Sequence, residues 1–166
     1  MQFKIGDFVV HPTHGVGHIV KLEEKRFFGE DTCLYYEVTV QKSTLWVPVD
    51  GRGVTGLRRL TPKRDLDQYR SLLRSRPVAL NKDNNKRRLE LADRLRQGSF
   101  RAMCEAVRDL TARGWHKPLN DADAASLRRA REGLCREWAA AEGVSIADAF
   151  QEIDALLLDG KRAHMS

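Results

Sequence analysis

Between residues 60 and 66 the hydrophobic pattern of this chain changes from a period of two to about 3.6, and the change falls on Thr61-Pro62. Period two suits a strand with one buried face and 3.6 suits an amphipathic helix, so no single regular architecture accommodates both halves. Before the break, alternation and turn residues predict strands over residues 7–11, 18–25, 34–40, 44–47 and 56–60. Turn signals stand at Gly15-Val16-Gly17, Gly29-Glu30-Asp31 and Gln41-Lys42-Ser43. Short strands with tight links imply a small, strongly bent sheet or partial barrel. At the break, a Thr cap followed by Pro predicts a helix start.

Everything beyond reads as helix. Apolar stripes recur at Leu66, Tyr69, Leu72 and Leu73, at Leu89, Ala92 and Leu95, and at Met103, Val107 and Leu110 behind a Ser99 cap. A fourth helix opens at Asn120 with Leu127, Ala130, Leu134 and Trp138 on one face; a fifth opens at Ser145 with Ile146, Phe150, Ile153 and Leu157. Residues 75–85, with Pro77 and several Asn and Asp, read as a loop, and the stretch from Gly160 as a frayed tail. The expected fold class is α+β, a small bent sheet over 1–61 and a compact all-α domain of about five helices over 62–160, with a tail at 161–166.

The net charge of +6 is unevenly spread. Residues 1–61 carry 8 Lys+Arg against 7 Asp+Glu, residues 62–100 carry 11 against 5, and residues 101–166 carry 10 against 11. Charge so concentrated is either an electrostatic footprint for a polyanion or a solvated basic helix face. On a helix, Lys86, Arg87 and Arg94 cluster away from the Leu89, Ala92, Leu95 stripe, with Arg88 at its border, and can reach phosphates without disturbing packing. Arg128, Arg129 and Arg131 form a second basic group. No base-reading motif accompanies either, so sequence specificity is not implied.

Three cysteines, Cys33, Cys104 and Cys135, have neither disulfide-framework nor metal-pair spacing and are expected to be reduced thiols. No leader pattern or run of ~18 apolar residues occurs, and the chain is expected to be soluble, cytoplasmic and without a membrane partner. His11, His14 and His18 lack converging ligands at recognised spacing, so no metal or other cofactor is expected. Glu23, Glu24, Glu30, Asp31 and Glu37 surround an apparent hairpin, where charges commonly protect sheet edges. No nucleophile-elbow, zincin or phosphate-loop signature appears, and no enzymatic activity is expected. In Thr44-Leu45-Trp46-Val47-Pro48, alternation puts Leu45 and Val47 on one face and Trp46 on the other. Trp46 is then either an exposed interface anchor or a ring that fills the barrel or covers the domain junction.

The segment Phe3-Lys4-Ile5-Gly6-Asp7-Phe8-Val9-Val10-His11-Pro12-Thr13-His14-Gly15-Val16-Gly17-His18-Ile19 closely resembles the start of the RNA-polymerase-interaction domain shared by the CarD/CdnL transcription regulators and the transcription-repair coupling factor. Tyr35-Tyr36-Glu37-Val38, Leu45-Trp46-Val47-Pro48-Val49 and Gly56-Leu57-Arg58 extend it, and Glu105 to Leu110, Lys117-Pro118-Leu119 and Leu127 to Arg131 are similar to the CarD/CdnL helical domain. The resemblance implies a Tudor-like or SH3-like first domain that docks on the β subunit of bacterial RNA polymerase. It also implies a helical domain that touches promoter DNA nonspecifically near the upstream edge of the melted bubble, modulating open-complex stability as a monomer associated with the nucleoid. Carried onto this chain, the polymerase contacts fall on Lys25, Arg26, Leu45, Trp46 and Val47, with Trp46 where relatives often place an arginine. The DNA contacts fall on Asn84, Lys86, Arg87, Arg88, Arg94 and Arg129. The family's groove-wedging Trp is replaced here by Asn84. A stand-alone nonspecific DNA-binding or nucleoid protein, and a polymerase adaptor without melting activity, are the alternatives.

Overall fold

The structure, a computed structural model, describes residues 3–26, 32–49 and 57–165. The chain divides into two units, Met1–Leu60 and Thr61–Ser166, each with its own core.

The first unit is a five-stranded antiparallel sheet built from β1 (Phe8–His11), β2 (Gly15–Lys25), β3 (Cys33–Val40), β4 (Ser43–Pro48) and β5 (Arg58–Arg59), in the order β4-β3-β2-β1-β5. Its core is Phe3, Val9, Ile19, Tyr36, Val38, Val40 and Val47, completed by the partly buried Leu45, Val49 and Leu57. Burying a side chain such as Ile19 or Val38 is worth about 1.5–3 kcal/mol. The Phe3 amide donates to the Tyr36 hydroxyl at 2.9 Å, which satisfies a phenol that the core would otherwise strand. Glycine is required at Gly17, because a Cβ there would stand 2.6 Å from both the Thr39 carbonyl oxygen and a Val40 methyl.

One irregularity in this sheet decides which residues share a face. Ile19 pairs with Val38, but the next pair is Lys21 with Glu37, so Val20 is an extra residue in β2. This bulge reverses the alternation beyond it. His18, Lys21, Glu23 and Lys25 therefore lie on one face, opposite Thr39, Glu37, Tyr35 and Cys33 of β3.

The second unit begins with a single 3-10 turn, Lys63–Asp65, and continues as α1 (Leu66–Arg74), α2 (Asn84–Arg96), α3 (Phe100–Arg113), α4 (Asp121–Glu142) and α5 (Ile146–His164). Asp83, Ser99, Asn120 and Ser145 each accept a backbone N–H three residues on, at 2.8–3.0 Å, the N-caps that short polar side chains favour. The core runs through Leu66, Leu73, Cys104, Val107, Leu134, Trp138 and Ile153. A smaller cluster of Leu91, Ala106 and Leu110, with Leu127 against it, joins α2 to α3 and α4. α1 and α5 approach closely at Gly160, where a Cβ would come within 3.3 Å of the Leu73 and Arg74 carbonyl oxygens.

Four sequence expectations are corrected here. Thr61 does not cap a helix: its N–H and hydroxyl both donate to Glu137 Oε2, at 3.2 and 2.7 Å, because a fully buried carboxylate needs those donors more than a solvated helix end does. α2 buries Arg87 and Leu91 rather than Leu89 and Ala92; Leu89 is 65% exposed. Asn84 and Asn85 belong to α2, since Asp83 caps it one residue earlier. The expected tail is helical to His164, held by the α1–α5 contact at Gly160. Of the turn and strand expectations, Gly29-Glu30-Asp31 and the Gly56 start of β5 lie outside the described residues.

Candidate functional site

Two surfaces carry the residues singled out in the sequence. On the first unit, β4 borders β3 alone among the described residues and so forms a sheet edge. Trp46 stands opposite Glu37 on β3, which stands opposite Lys21 on β2. Its ring is 40% exposed, and its Nε1–H donates to Glu23 Oε1 at 3.2 Å. The Lys25 ammonium lies 4.6 Å from the ring centroid and 3.5 Å from Glu23 Oε1. A cation over an indole face is attracted by the ring quadrupole, and here the same cation is balanced by the carboxylate that accepts the indole hydrogen bond. The indole N–H bond holds the Glu23 carboxyl below its usual range, with the Lys25 ammonium assisting.

The structure thus brings Lys25 and Trp46 together on one face. Leu45 and Val47 point the other way, into the core, so their share of any contact is through the β4 backbone. Arg26 is exposed at the end of β2. Glu23 is the residue that sequence reasoning missed. Simple alternation places it with Ile19 on the buried face, and only the extra residue Val20 turns it towards Trp46.

On the second unit, the basic stretch of α2 separates into residues that hold the fold and residues that face solvent. Arg87 is only 1% exposed. Its Nη2 lies 2.8 Å and its Nε 3.1 Å from the Asp123 carboxylate on α4, its Nη1 donates to the Asn81 carbonyl at 2.9 Å, and Nη2 reaches Asn84 Oδ1 at 2.6 Å. Arg113 also meets Asp123, at 3.3 Å. This overturns the expectation of Arg87 as a phosphate contact: burying a guanidinium is tolerable only with a counter-charge and full hydrogen bonding, and both are spent inside the unit. Arg94 is half-buried and lies 3.5 Å from Asp109, a buried carboxylate that also takes Arg108 at 2.8 Å and the Val78 amide at 3.0 Å. These two aspartates pin the loop before α2, and α2 itself, to α3 and α4.

Lys86 and Arg88 are exposed and carry no ion pair among the described residues, as does Arg129 on α4. On α2, Arg96 is exposed as well but pairs with Asp93, and Lys63, Arg64, Arg74, Arg76 and Lys82 are further exposed cations of the basic segment. Asn84, where the resemblance puts the wedge, is exposed at the first turn of α2, and its side-chain Oδ1 accepts a hydrogen bond from Arg87 Nη2.

Burial pushes the Cys135 thiol up to about 11 and drives Cys104 higher still, so both are inert packing groups. Among the described residues no three His, Cys, Asp or Glu are grouped to hold a metal ion, and no helix is long and apolar enough to cross a membrane. His11 instead serves its turn, its Nδ1 accepting the Thr13 and His14 amides at 3.1 and 3.2 Å.

Residues 3–61 match the CarD-like/TRCF RID domain, and residues 69–154 match the CarD, C-terminal domain. YdeB of Bacillus subtilis (strain 168), a protein whose name proposes a transcription factor, is 28% identical over 152 residues, covering 87% of this chain and 95% of the relative.

Proposed function

The chain belongs to the CarD family of transcription regulators, whose first domain type interacts with RNA polymerase, and from that premise we propose that it binds the polymerase β subunit through its sheet and promoter DNA through its helices. The observation that carries the reading is the Trp46–Lys25 pair, an exposed aromatic with a cation beside it on an edge strand of the matched domain. The backbone of β4 supplies the rest of that contact, as edge strands do when a partner strand lies alongside.

On the helical unit, Lys86, Arg88 and Arg129 meet phosphates, while Arg87 and Arg94 hold α2 in place to present them. Such contacts are salt-dependent and indifferent to sequence. Regulation follows from differential affinity: a factor tethered to polymerase that grips the opened promoter complex better than the closed one shifts the equilibrium by that difference. No bond is made or broken by this chain in the proposal, and it acts as a monomer in the cytoplasm.

The test measures binding of the full chain to immobilised β subunit, then the lifetime of open promoter complexes with and without the chain. Binding to β with an altered lifetime is the expected result. DNA binding without any β affinity would instead identify a stand-alone nucleoid protein, and β binding with an unchanged lifetime would identify an adaptor.

A further inference from the structure

Trp46 presents less to a partner than its exposure suggests. Its only polar atom is already bonded to Glu23 at 3.2 Å, and the Lys25 ammonium sits 4.6 Å from the ring centroid. Glu23 and Lys25 are themselves 3.5 Å apart, so the three side chains close a ring of contacts across β2 and β4. The bulge at Val20 brings the two β2 residues to this face.

We infer that Glu23 is a positioning residue for polymerase docking: it fixes the Trp46 indole in one orientation and leaves only an apolar edge and the uncovered face for the partner. The inference rests on the docking role proposed for Trp46. It names the chemistry of the complementary spot on the β subunit, an apolar or planar group that packs on the indole, in place of a carboxylate that would compete for the N–H. A large side chain already immobilised before binding loses less freedom on association, which is the physical advantage of the arrangement. Among the described residues, Lys21 and Glu37 lie in the cross-strand row of this ring and Glu23 and Lys25 lie beside it, two charges of each sign.

The experiment uses the full chain, labelled with nitrogen-15, in which the indole N–H signals of Trp46, Trp115 and Trp138 are resolved and Trp46 is assigned through Trp46→Phe. Glu23→Ala is expected to move the Trp46 indole signal and speed its exchange with water several-fold, whereas Glu23→Gln, which keeps an acceptor oxygen, is expected to stay near wild type. Affinity for immobilised β subunit should fall about 2- to 10-fold for Glu23→Ala, the range expected for freeing one side chain. Made in a Trp46→Ala background, Glu23→Ala should cost nothing further. A loss that is additive with Trp46→Ala would overturn the inference by showing that Glu23 touches the partner itself. An indole signal indifferent to Glu23→Ala overturns it as well, even when β binding is intact. Failure of the wild-type chain to bind β is seen before any variant is made, and it overturns the docking role instead.

Discussion

Truncating Asp123 tests whether α2 is held by a buried ion pair or merely rests on α3. Asp123→Ala strands the Arg87 guanidinium, 1% exposed, without its counter-charge, and removes the partner of Arg113 as well. Breaking a buried pair by removing one member costs about 3–5 kcal/mol. Arg87→Ala should fall at the lower end, since Asp123 then keeps Arg113 at 3.3 Å. At a urea slope of about 2 kcal/mol per molar, Asp123→Ala lowers the unfolding midpoint of the helical unit by roughly 1.5–2.5 M. Arg88→Ala, its exposed neighbour, should stay within about 0.5 kcal/mol of wild type. The assay is urea unfolding followed by helical circular dichroism, to which the second unit contributes all five α-helices. A further variant separates charge from packing: Arg87→Met with Asp123→Leu removes both charges and should be markedly more stable than Asp123→Ala alone. An Asp123→Ala midpoint indistinguishable from that of Arg88→Ala would refute the reasoning.

For DNA, Lys86→Ala and Arg88→Ala should each reduce the slope of log affinity against log salt by about 1 in binding titrations on random duplexes, and an unaltered slope in the double variant would place the phosphate surface elsewhere. Asn84→Trp should lengthen open-complex lifetime at matched polymerase occupancy, because an aromatic offers an unstacked base a partner worth roughly 1–3 kcal/mol that Asn lacks; an unchanged lifetime would remove Asn84 from the bubble edge. The β1–β2 turn should loosen in acid. Burial, aided by His14, lowers the His11 pKa, so the folded turn favours the neutral ring that accepts two amides. Its contribution is complete above the unfolded value of 6.5 and is lost as pH falls from there through the folded value. Amide exchange at Thr13 and His14 between about pH 7 and 5 reads this directly, and His11→Ala should abolish the dependence.

The succession of strands and then helices and three of the four helix caps were legible in the sequence, because each depends on residues within a few positions of one another; the Asp83 cap was not, since it lies in a stretch that reads as loop. Period two ends and period 3.6 begins at Thr61-Pro62, and Ser99, Asn120 and Ser145 stand immediately before the helices they cap. Trp46 could be turned outward by counting along β4, for the same reason. What counting along one segment cannot supply is the choice between two faces that both satisfy the period. On α2, Leu89 with Ala92 and Arg87 with Leu91 are equally good helical stripes. Hydrophobicity favours the first, yet the structure buries the second, because Asp123, 36 residues away, supplies the charge that makes a buried arginine tolerable. Likewise the alternation of β2 assigns Glu23 to the core, and only pairing with β3 reveals that Val20 is an extra residue and that Glu23 belongs beside Trp46. Local spacing decides which elements form; partners distant in sequence decide which face each element turns inward, and with it which charges remain to meet another molecule.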